Sequence, residues 1–430
     1  MQPLWRTSTL ALACFTFITL SLSPLHAQLL GTRAQGSARF EFNFSNPGAR
    51  SLAMGGAFAA LADDATAAYA NPAGLTNLSR PEVSVEARSW RYEVSFLDAE
   101  TTLNPEDRTE IIIPIEVRSQ SQIEGLSFSS IVYPYRQWTF AAYRHELANF
   151  TAEANDFPVL QAGSTRVQKL QSTVDLSIVG HGLMGAYLFE RYGLSIGLGA
   201  VYYDSSYKAF EIERRTRPSG AEFFNSRTQG GQGQDWAANV GIRWRLTDSL
   251  IVGTFYRQGP EFPISELNRD DGRSDFEIGR FRAPDVLGVG IAVQPVERLW
   301  INAEHSRVGY SKISRVGPLL GNSFQGKFVR EDAEEIRLGL EYSFWDLKLA
   351  PAIRLGTWYD PDHVLRFEIA SGRENDPSAR NAATRFPAGE DEIHFSAGFG
   401  IVVGQHLQID AGYDFADSRD TGSLSAVFRF

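Results

Sequence analysis

Cysteine is almost absent from this 430-residue chain. The only one is Cys14, and it lies inside an apolar leader. Residues Met1 to Ala27 carry Arg6 in a short polar start, an apolar run from Leu10 to Leu22, and Leu25-His26-Ala27 as a small-residue cleavage site, the layout of a cleaved signal peptide. The mature chain then starts at Gln28 without a cysteine, which excludes disulfides and thiolate metal sites, and no cysteine stands near the cleavage point to accept a lipid anchor. Long apolar runs are missing too. The leader core of ~13 residues falls short of the ~20 that a membrane helix needs, and no later stretch reaches about 18 uninterrupted apolar residues, which removes a helical membrane bundle. Excess positive charge is also lacking. The chain has 41 bases against 51 acids; loss of Arg6 leaves 40 against 51, a net charge of −11, and this argues against nucleic acid as a partner.

What is present is alternation. In Glu392 to Val403, Ile393, Phe395, Ala397, Phe399, Ile401 and Val403 alternate with mostly small or polar residues, a period of two that marks a strand with unlike faces. In Glu335 to Phe344, Ile336, Leu338, Leu340, Tyr342 and Phe344 oppose Arg337, Gly339, Glu341 and Ser343, and Gln408 to Phe415 repeats the pattern. Such runs predict strands beginning near Glu82, Ile123, Trp138, Val174, Leu194, Asp235, Leu250, Asp285, Leu299, Glu335, Lys348, Glu392, Leu407 and Gly422, about fourteen in all.

The connections alternate as well. Tight ones are expected at Pro134 to Gln137, Phe189 to Tyr192, Thr247 to Ser249, Gln294 to Arg298, Phe344 to Lys348 and Gly404 to His406. Long ones are expected at Asp98 to Gln120, Asn149 to Gln171, Lys208 to Gln234, Gly259 to Pro284, Tyr310 to Ala333 and Tyr359 to Asp391, with a shorter one at Asp417 to Thr421. Short turns at one end and long loops at the other are the pattern of an outer-membrane β-barrel. Its physical basis is that lipid offers no hydrogen bonds, so a membrane sheet must close on itself. The fold class expected is therefore all-β, a transmembrane antiparallel barrel. The last strand ends Val427-Phe428-Arg429-Phe430; a terminal Phe430 resembles the signal that barrel-insertion machinery reads.

One stretch does not alternate. Gly48 to Leu75 is rich in alanine and glycine and poor in β-branched residues, so it suits a compact plug in the lumen. Two short helices are expected in it. The first spans Ser51 to Leu61, weakened by Gly55 and Gly56; the second starts behind Asp63 or Asp64, whose carboxylate can accept first-turn amides, and ends at Pro72. The domain division expected is 1–27 signal peptide, 28–80 extension and plug, 81–430 barrel.

Catalytic and metal-binding patterns are thin. His145-Glu146 begins like a zinc-protease helix but lacks the second histidine, and Gly230 to Gln234 is glycine-rich without the lysine of a phosphate cradle. No nucleophile elbow gathers a serine with a histidine. Asp270-Asp271 and the acids between Asp360 and Asp391 read as solvated loop charge. The inward charges Arg337, Glu341, Asp410, Asp414 and Arg429 are expected to pair with one another or with the plug. No catalytic residue, cofactor or metal is expected.

Gly48-Ala49-Arg50, Met54-Gly55-Gly56-Ala57, Asp63-Asp64-Ala65 and Asn71-Pro72-Ala73-Gly74-Leu75 together resemble the start of FadL-type outer-membrane transporters of long-chain fatty acids and aromatic hydrocarbons. Pro284 to Gly290, Gln294 to Leu299 and Asp391 to Gly398 are similar to later parts of that family. The resemblance implies a fourteen-stranded barrel with an N-terminal hatch, passive transport of a hydrophobic ligand captured among extracellular loops, and sideways exit through a gap in the wall. Asn71, Pro72, Ala73 and Gly74 match its hatch motif. The chain differs in carrying some twenty mature residues, Gln28 to Pro47, ahead of that pattern. A PorV-like secretion-associated barrel that binds partner proteins has a comparable opening and stands as the alternative, with a hydrophilic porin third. The partners expected are the ligand, outer-membrane lipid and the insertion machinery, with the barrel a monomer in the outer membrane.

Overall fold

A computed structural model describes residues 40, 42–103, 110–157, 166–216, 219–266, 276–315 and 325–430. The expected signal peptide and most of the extension lie outside the described residues. Fourteen strands form the wall: β1 (Glu82–Leu103), β2 (Glu110–Tyr135), β3 (Trp138–Phe157), β4 (Arg166–Phe189), β5 (Leu194–Thr216), β6 (Glu222–Thr247), β7 (Leu250–Arg257), β8 (Val286–Val296), β9 (Leu299–Val308), β10 (Ala333–Ser343), β11 (Ala352–Asp360), β12 (Glu392–Val403), β13 (Leu407–Phe415) and β14 (Arg419–Arg429). Each pairs antiparallel with its sequence neighbours, and β1 closes the ring on β14 from Glu82↔Arg429 to Tyr92↔Arg419. Closure leaves no free edge in the hydrocarbon, the condition a membrane sheet must meet.

Alternation decides which face meets lipid. On β10, Ile336, Leu338 and Leu340 are 53%, 49% and 42% exposed, whereas Glu335, Arg337 and Glu341 between them are buried. That is the inverse of a soluble domain, whose surface keeps apolar patches small. Along β6 the outward apolar run goes from Trp236 to Leu246; ten residues at ~3.3 Å each, tilted by about 40°, give ~25 Å, the height of a membrane belt. Aromatic rings mark both margins. Tyr202 and Trp236 lie 5.2 Å apart at the loop end, and Tyr133, Tyr135, Trp138, Tyr192 and Trp244 are exposed near the tight turns.

Six strands outgrow the expectation. β1 to β6 run 20 to 26 residues, against 8 to 12 for the other eight. Much of the stretches expected as loops at Asp98 to Gln120, Asn149 to Gln171 and Lys208 to Gln234 is strand, and strands placed near Ile123, Val174 and Asp235 begin at Glu110, Arg166 and Glu222. The cause is the solvent. Beyond the bilayer both faces of a strand can be polar, so pairing continues where the apolar alternation stops; Arg118 on β2, for instance, bonds Glu93 on β1 and Glu116 on its own strand. The strand placed at Lys348 begins later, at Ala352, because Phe344 to Pro351 forms a turn closed by Phe344 N donating to Pro351 O at 2.8 Å.

Two connections join above the barrel. Gly326–Val329 pairs with Arg366–Ile369, and the helix Pro377–Arg385, capped by Asp376, covers this ribbon through Leu365, Phe367, Ala379, Ala382 and Phe386. Inside the barrel, glycines let the wall approach the N-terminal segment. A Cβ on Gly356 of β11 would lie 2.1 Å from Gly55 N, one on Gly339 of β10 2.4 Å from Met54 O, and one on Gly253 of β7 2.4 Å from Ala59 O. These atoms are backbone and cannot swing away. Gly356→Val is therefore expected to lower the heat-modifiable, folded fraction on electrophoresis severely, whereas Leu355→Val, next to it on the lipid face, stays near wild type; equal folded fractions would contradict this wall-to-plug contact.

Candidate functional site

The plug is less helical than its alanine content suggests. The first helix, α1, covers only Ala49–Leu52, shorter than the expected Ser51 to Leu61. Gly55 and Gly56 adopt φ of 64° and 77°, a region open to glycine and costly to other residues, and they turn the chain out of helical geometry. The second, α2, covers Ala67–Ala70. Its N-cap is Thr66, without a side-chain cap bond; Asp64, expected to cap the helix, instead turns the chain ahead of it, its Oδ1 accepting from Thr66 N at 2.9 Å and Thr66 Oγ1 at 2.5 Å.

The motif residues sit at the seam between plug and wall. Asn71 Oδ1 accepts from Ala73 N at 3.2 Å and starts the 3-10 turn Pro72–Asn77, while its Nδ2 donates to Ala59 O at 2.8 Å and to Ile242 O on β6 at 3.2 Å. A Cβ on Gly74 would lie 2.2 Å from Ala62 O, and one on Gly197 of β5 2.3 Å from Ala73 N. Asn71, Pro72, Ala73 and Gly74 thus come together, pin the plug to β5 and β6, and turn the chain toward β1.

Buried charge holds the rest. The Arg50 guanidinium bonds both oxygens of Glu341 on β10, at 2.7 and 2.8 Å, and reaches Asp63 at 2.6 Å. Glu341 also accepts from Arg354 Nε at 2.6 Å, and Arg354 Nη1 lies 2.8 Å from Asp410 Oδ1 without hydrogen-bond alignment. Elsewhere wall side chains serve plug backbone. Glu304 accepts from the amides of Phe58 and Ala59 at 3.0 and 2.9 Å, Arg243 donates to Ala60 O at 2.9 Å, and Arg337 donates to Gly55 O at 3.1 Å. The expectation that inward charges pair with one another or with the plug holds for Arg337, Glu341 and Asp410, and also for Asp414, which takes His394 at 2.8 Å, and Arg429, which bonds Glu82 at 2.9 Å.

The extension runs across the top of the plug. Asn43 N donates to Leu147 O at 2.7 Å and its Oδ1 accepts from Arg88 at 2.7 Å; Asn46 accepts from Arg257 at 2.5 Å and donates to Gly56 O at 2.8 Å. Phe40, Phe42 and Phe44 point the other way, into an aromatic cluster. Phe40 packs edge-on against Phe150, Tyr207 and Phe281 at 5.5, 6.0 and 5.5 Å, Phe42 stacks on Phe44 and Phe281, and Tyr92 stacks on Phe150. Sequence reasoning passed over Phe40-x-Phe42-x-Phe44, although its period of two was the available signal. His145 belongs to this layer as packing, its ring 3.9 Å from that of Tyr69.

Beside the strap the wall is interrupted. The β2–β3 ladder runs from Tyr135↔Trp138 only to Phe128↔His145, where register shifts occur at Ser127 in β2 and Leu147 in β3. Farther up, the two strands meet again through side chains, with Ser121 Oγ donating to Thr151 O and Glu153 N donating to Ser119 Oγ. Gly125, Leu126, Arg144 and Glu146 border the interruption; Arg144 and Glu146, both on β3, stand 3.6 Å apart along its rim, and Arg144 Nη1 donates across it to Leu126 O on β2 at 2.5 Å.

A family model described as "Outer membrane protein transport protein (OMPP1/FadL/TodX)" matches residues 29–423. No curated protein sequence matches the chain. Among solved structures, the Pseudomonas putida toluene transporter TodX superposes with a TM-score of 0.61 at 15% identity, covering 90% of this chain and 99% of that one. A Pseudomonas aeruginosa FadL homologue gives 0.60 at 13%, covering 91% and 99%, and the Ralstonia pickettii toluene transporter TbuX gives 0.57 at 14%, covering 90% and 99%. At these identities the likeness is one of fold.

Removing one partner of a buried ion pair costs about 3–5 kcal/mol. Arg50→Met is expected to raise amide exchange across residues 48–75 by at least about a hundredfold, while exchange in β7 to β14 stays unchanged. Unaltered protection of the plug would show that Arg50 does not hold it.

Proposed function

The chain belongs to the outer-membrane transport protein family of OMPP1, FadL and TodX and lies in the outer membrane, and on that premise we propose that it passes hydrophobic small molecules, fatty acids or aromatic hydrocarbons, passively across that membrane. The observation that carries this reading is the aromatic cluster packed in the lumen over the plug. A water-filled porin has a polar interior, whereas Phe40, Phe42, Phe150 and Phe281 are buried together here. Apolar surface gains about 25 cal/mol per Å² on leaving water, so an apolar solute that parts these rings moves downhill from the polar surface layer. Nothing in the step needs a covalent change, and the protein acts without enzymatic chemistry.

The route follows from the neighbours of the cluster. Solute is collected between the extended β1 to β6 and the loop ribbon, enters among the aromatic rings, and is turned aside by the plug. The interruption between β2 and β3 offers a lateral way into the bilayer, with Asn43 directly behind it. The Asn71-Pro72-Ala73-Gly74 turn anchors the plug, and Phe430 serves as the insertion address of a monomeric barrel. Two of the similar structures are toluene transporters by name, which favours transport; the secretion-associated alternative is not favoured.

Deleting the gene is expected to slow uptake of labelled long-chain fatty acid or of small aromatics severalfold; unchanged uptake of both classes would overturn the reading. In a complemented strain, Gly125→Trp, which fills the rim of the interruption, is expected to reduce uptake while leaving the folded barrel at wild-type level. Full uptake through that variant would rule out lateral exit at this place.

A further inference from the structure

Below the interruption, toward the tight turns, the lipid face of β2 to β5 is concave. Bulky side chains at Ile131, Phe140, Leu183 and Leu198 stand around small ones at Ala142, Gly185 and Gly199, leaving a groove of about 1100 Å³ on the outside of the wall. From Leu183 to Phe189 it follows about 20 Å of strand, which at a barrel tilt of ~40° is about 15 Å of depth. That is half of a ~30 Å hydrocarbon core, so the groove serves one leaflet.

Its closed end carries positive charge. Arg136 lies in the turn between β2 and β3, and Arg191 in the turn between β4 and β5. The first turn is tied to the last residues of β4, just ahead of the second turn, by Leu188 N donating to Gln137 O at 3.0 Å. Arg136 stands 5.4 Å from the ring of Tyr135 and Arg191 5.7 Å from that of Tyr192, and both tyrosines are exposed. Both arginines are exposed. Among the described residues neither forms an ion pair, and Glu190, the acid beside Arg191, bonds neither of them.

We propose that this groove binds one anionic phospholipid of the periplasmic leaflet, its phosphate between Arg136 and Arg191 and an acyl chain against Gly185 and Ala142. The charge selects the occupant. Two guanidiniums at the headgroup level favour an anionic lipid over a zwitterionic one, and arginine matches phosphate oxygens in a forked geometry. The leaflet-length groove receives the chain that such a headgroup carries. This site is independent of the transported solute.

The test titrates the purified full barrel in detergent with phosphatidylglycerol and, separately, phosphatidylcholine, reading bound lipid by native mass spectrometry. The wild type is expected to hold one phosphatidylglycerol and to take phosphatidylcholine much more weakly. Arg136→Gln with Arg191→Gln is expected to weaken phosphatidylglycerol binding at least about tenfold, with no change in the folded fraction. Gly185→Leu is expected to abolish binding of either lipid; a Cβ there meets only Phe140 ring atoms at 3.7 and 3.8 Å, an ordinary contact that the fold tolerates. Equal retention of the two lipids by the wild type, or undiminished phosphatidylglycerol binding in the double arginine variant, would overturn the proposal.

Discussion

A plug inside a barrel has to replace water for every backbone group it buries, and the rest of this structure depends on how that is done. The segment from Gly48 to Leu78 makes little regular structure of its own, only two single-turn helices and a 3-10 turn. An unpaired buried amide or carbonyl costs about 1–3 kcal/mol, so the wall must supply partners. It does so with Glu304, Arg243, Arg257 and Arg337, and with the hydroxyls of Ser130, Ser396 and Ser425. The inward face therefore has to be charged and polar beneath the aromatic cluster. Charges placed there need partners in turn, which is why Arg50, Glu341, Arg354 and Asp410 form a chain.

Above this polar floor the lumen changes character. The strap, Phe40 and residues 42–47, is the boundary: Asn43 and Asn46 face Arg88 and Arg257, and Phe40, Phe42 and Phe44 face the aromatic cluster. A two-sided segment separates a hydrogen-bonded layer from an aromatic one. The same segment borders the wall interruption through Asn43 and Leu147, so closure of the floor, the aromatic cluster and the side route meet at one place.

Much of the wall was legible in the sequence because lipid imposes one face. β10 could be read from Ile336 to Tyr342 since each outward position must be apolar and each inward one serves the plug. The lower part of β2 could be read as well, but its start could not; from Glu116 to Gln122 polar residues fall on both faces and leave no alternation to see. Within the plug, Asn71-Pro72 as a turn was readable as local chemistry, whereas the helix behind Asp64 starts two residues later than a cap at Asp64 would place it, from Thr66. The length of α1 was misjudged because two glycines in a row at positive φ outweigh the helix preference of the alanines around them. The pairing of Arg50 with Glu341 joins residues 291 apart, which the alternation placed on an inner face without naming a partner. The Phe40 strap was too short to register as an element, and its place over the plug is set by tertiary contacts with Phe150, Tyr207 and Phe281.

The central claim is that plug and strap close the lumen to water while leaving an apolar route. Single-channel recording of the purified barrel in a planar bilayer tests it most directly. The account predicts no sustained conductance in molar potassium chloride for the wild-type protein. A stable, porin-sized conductance would contradict it, because ions would then be crossing the plug that Arg50 and Glu341 hold in place and the aromatic layer above it.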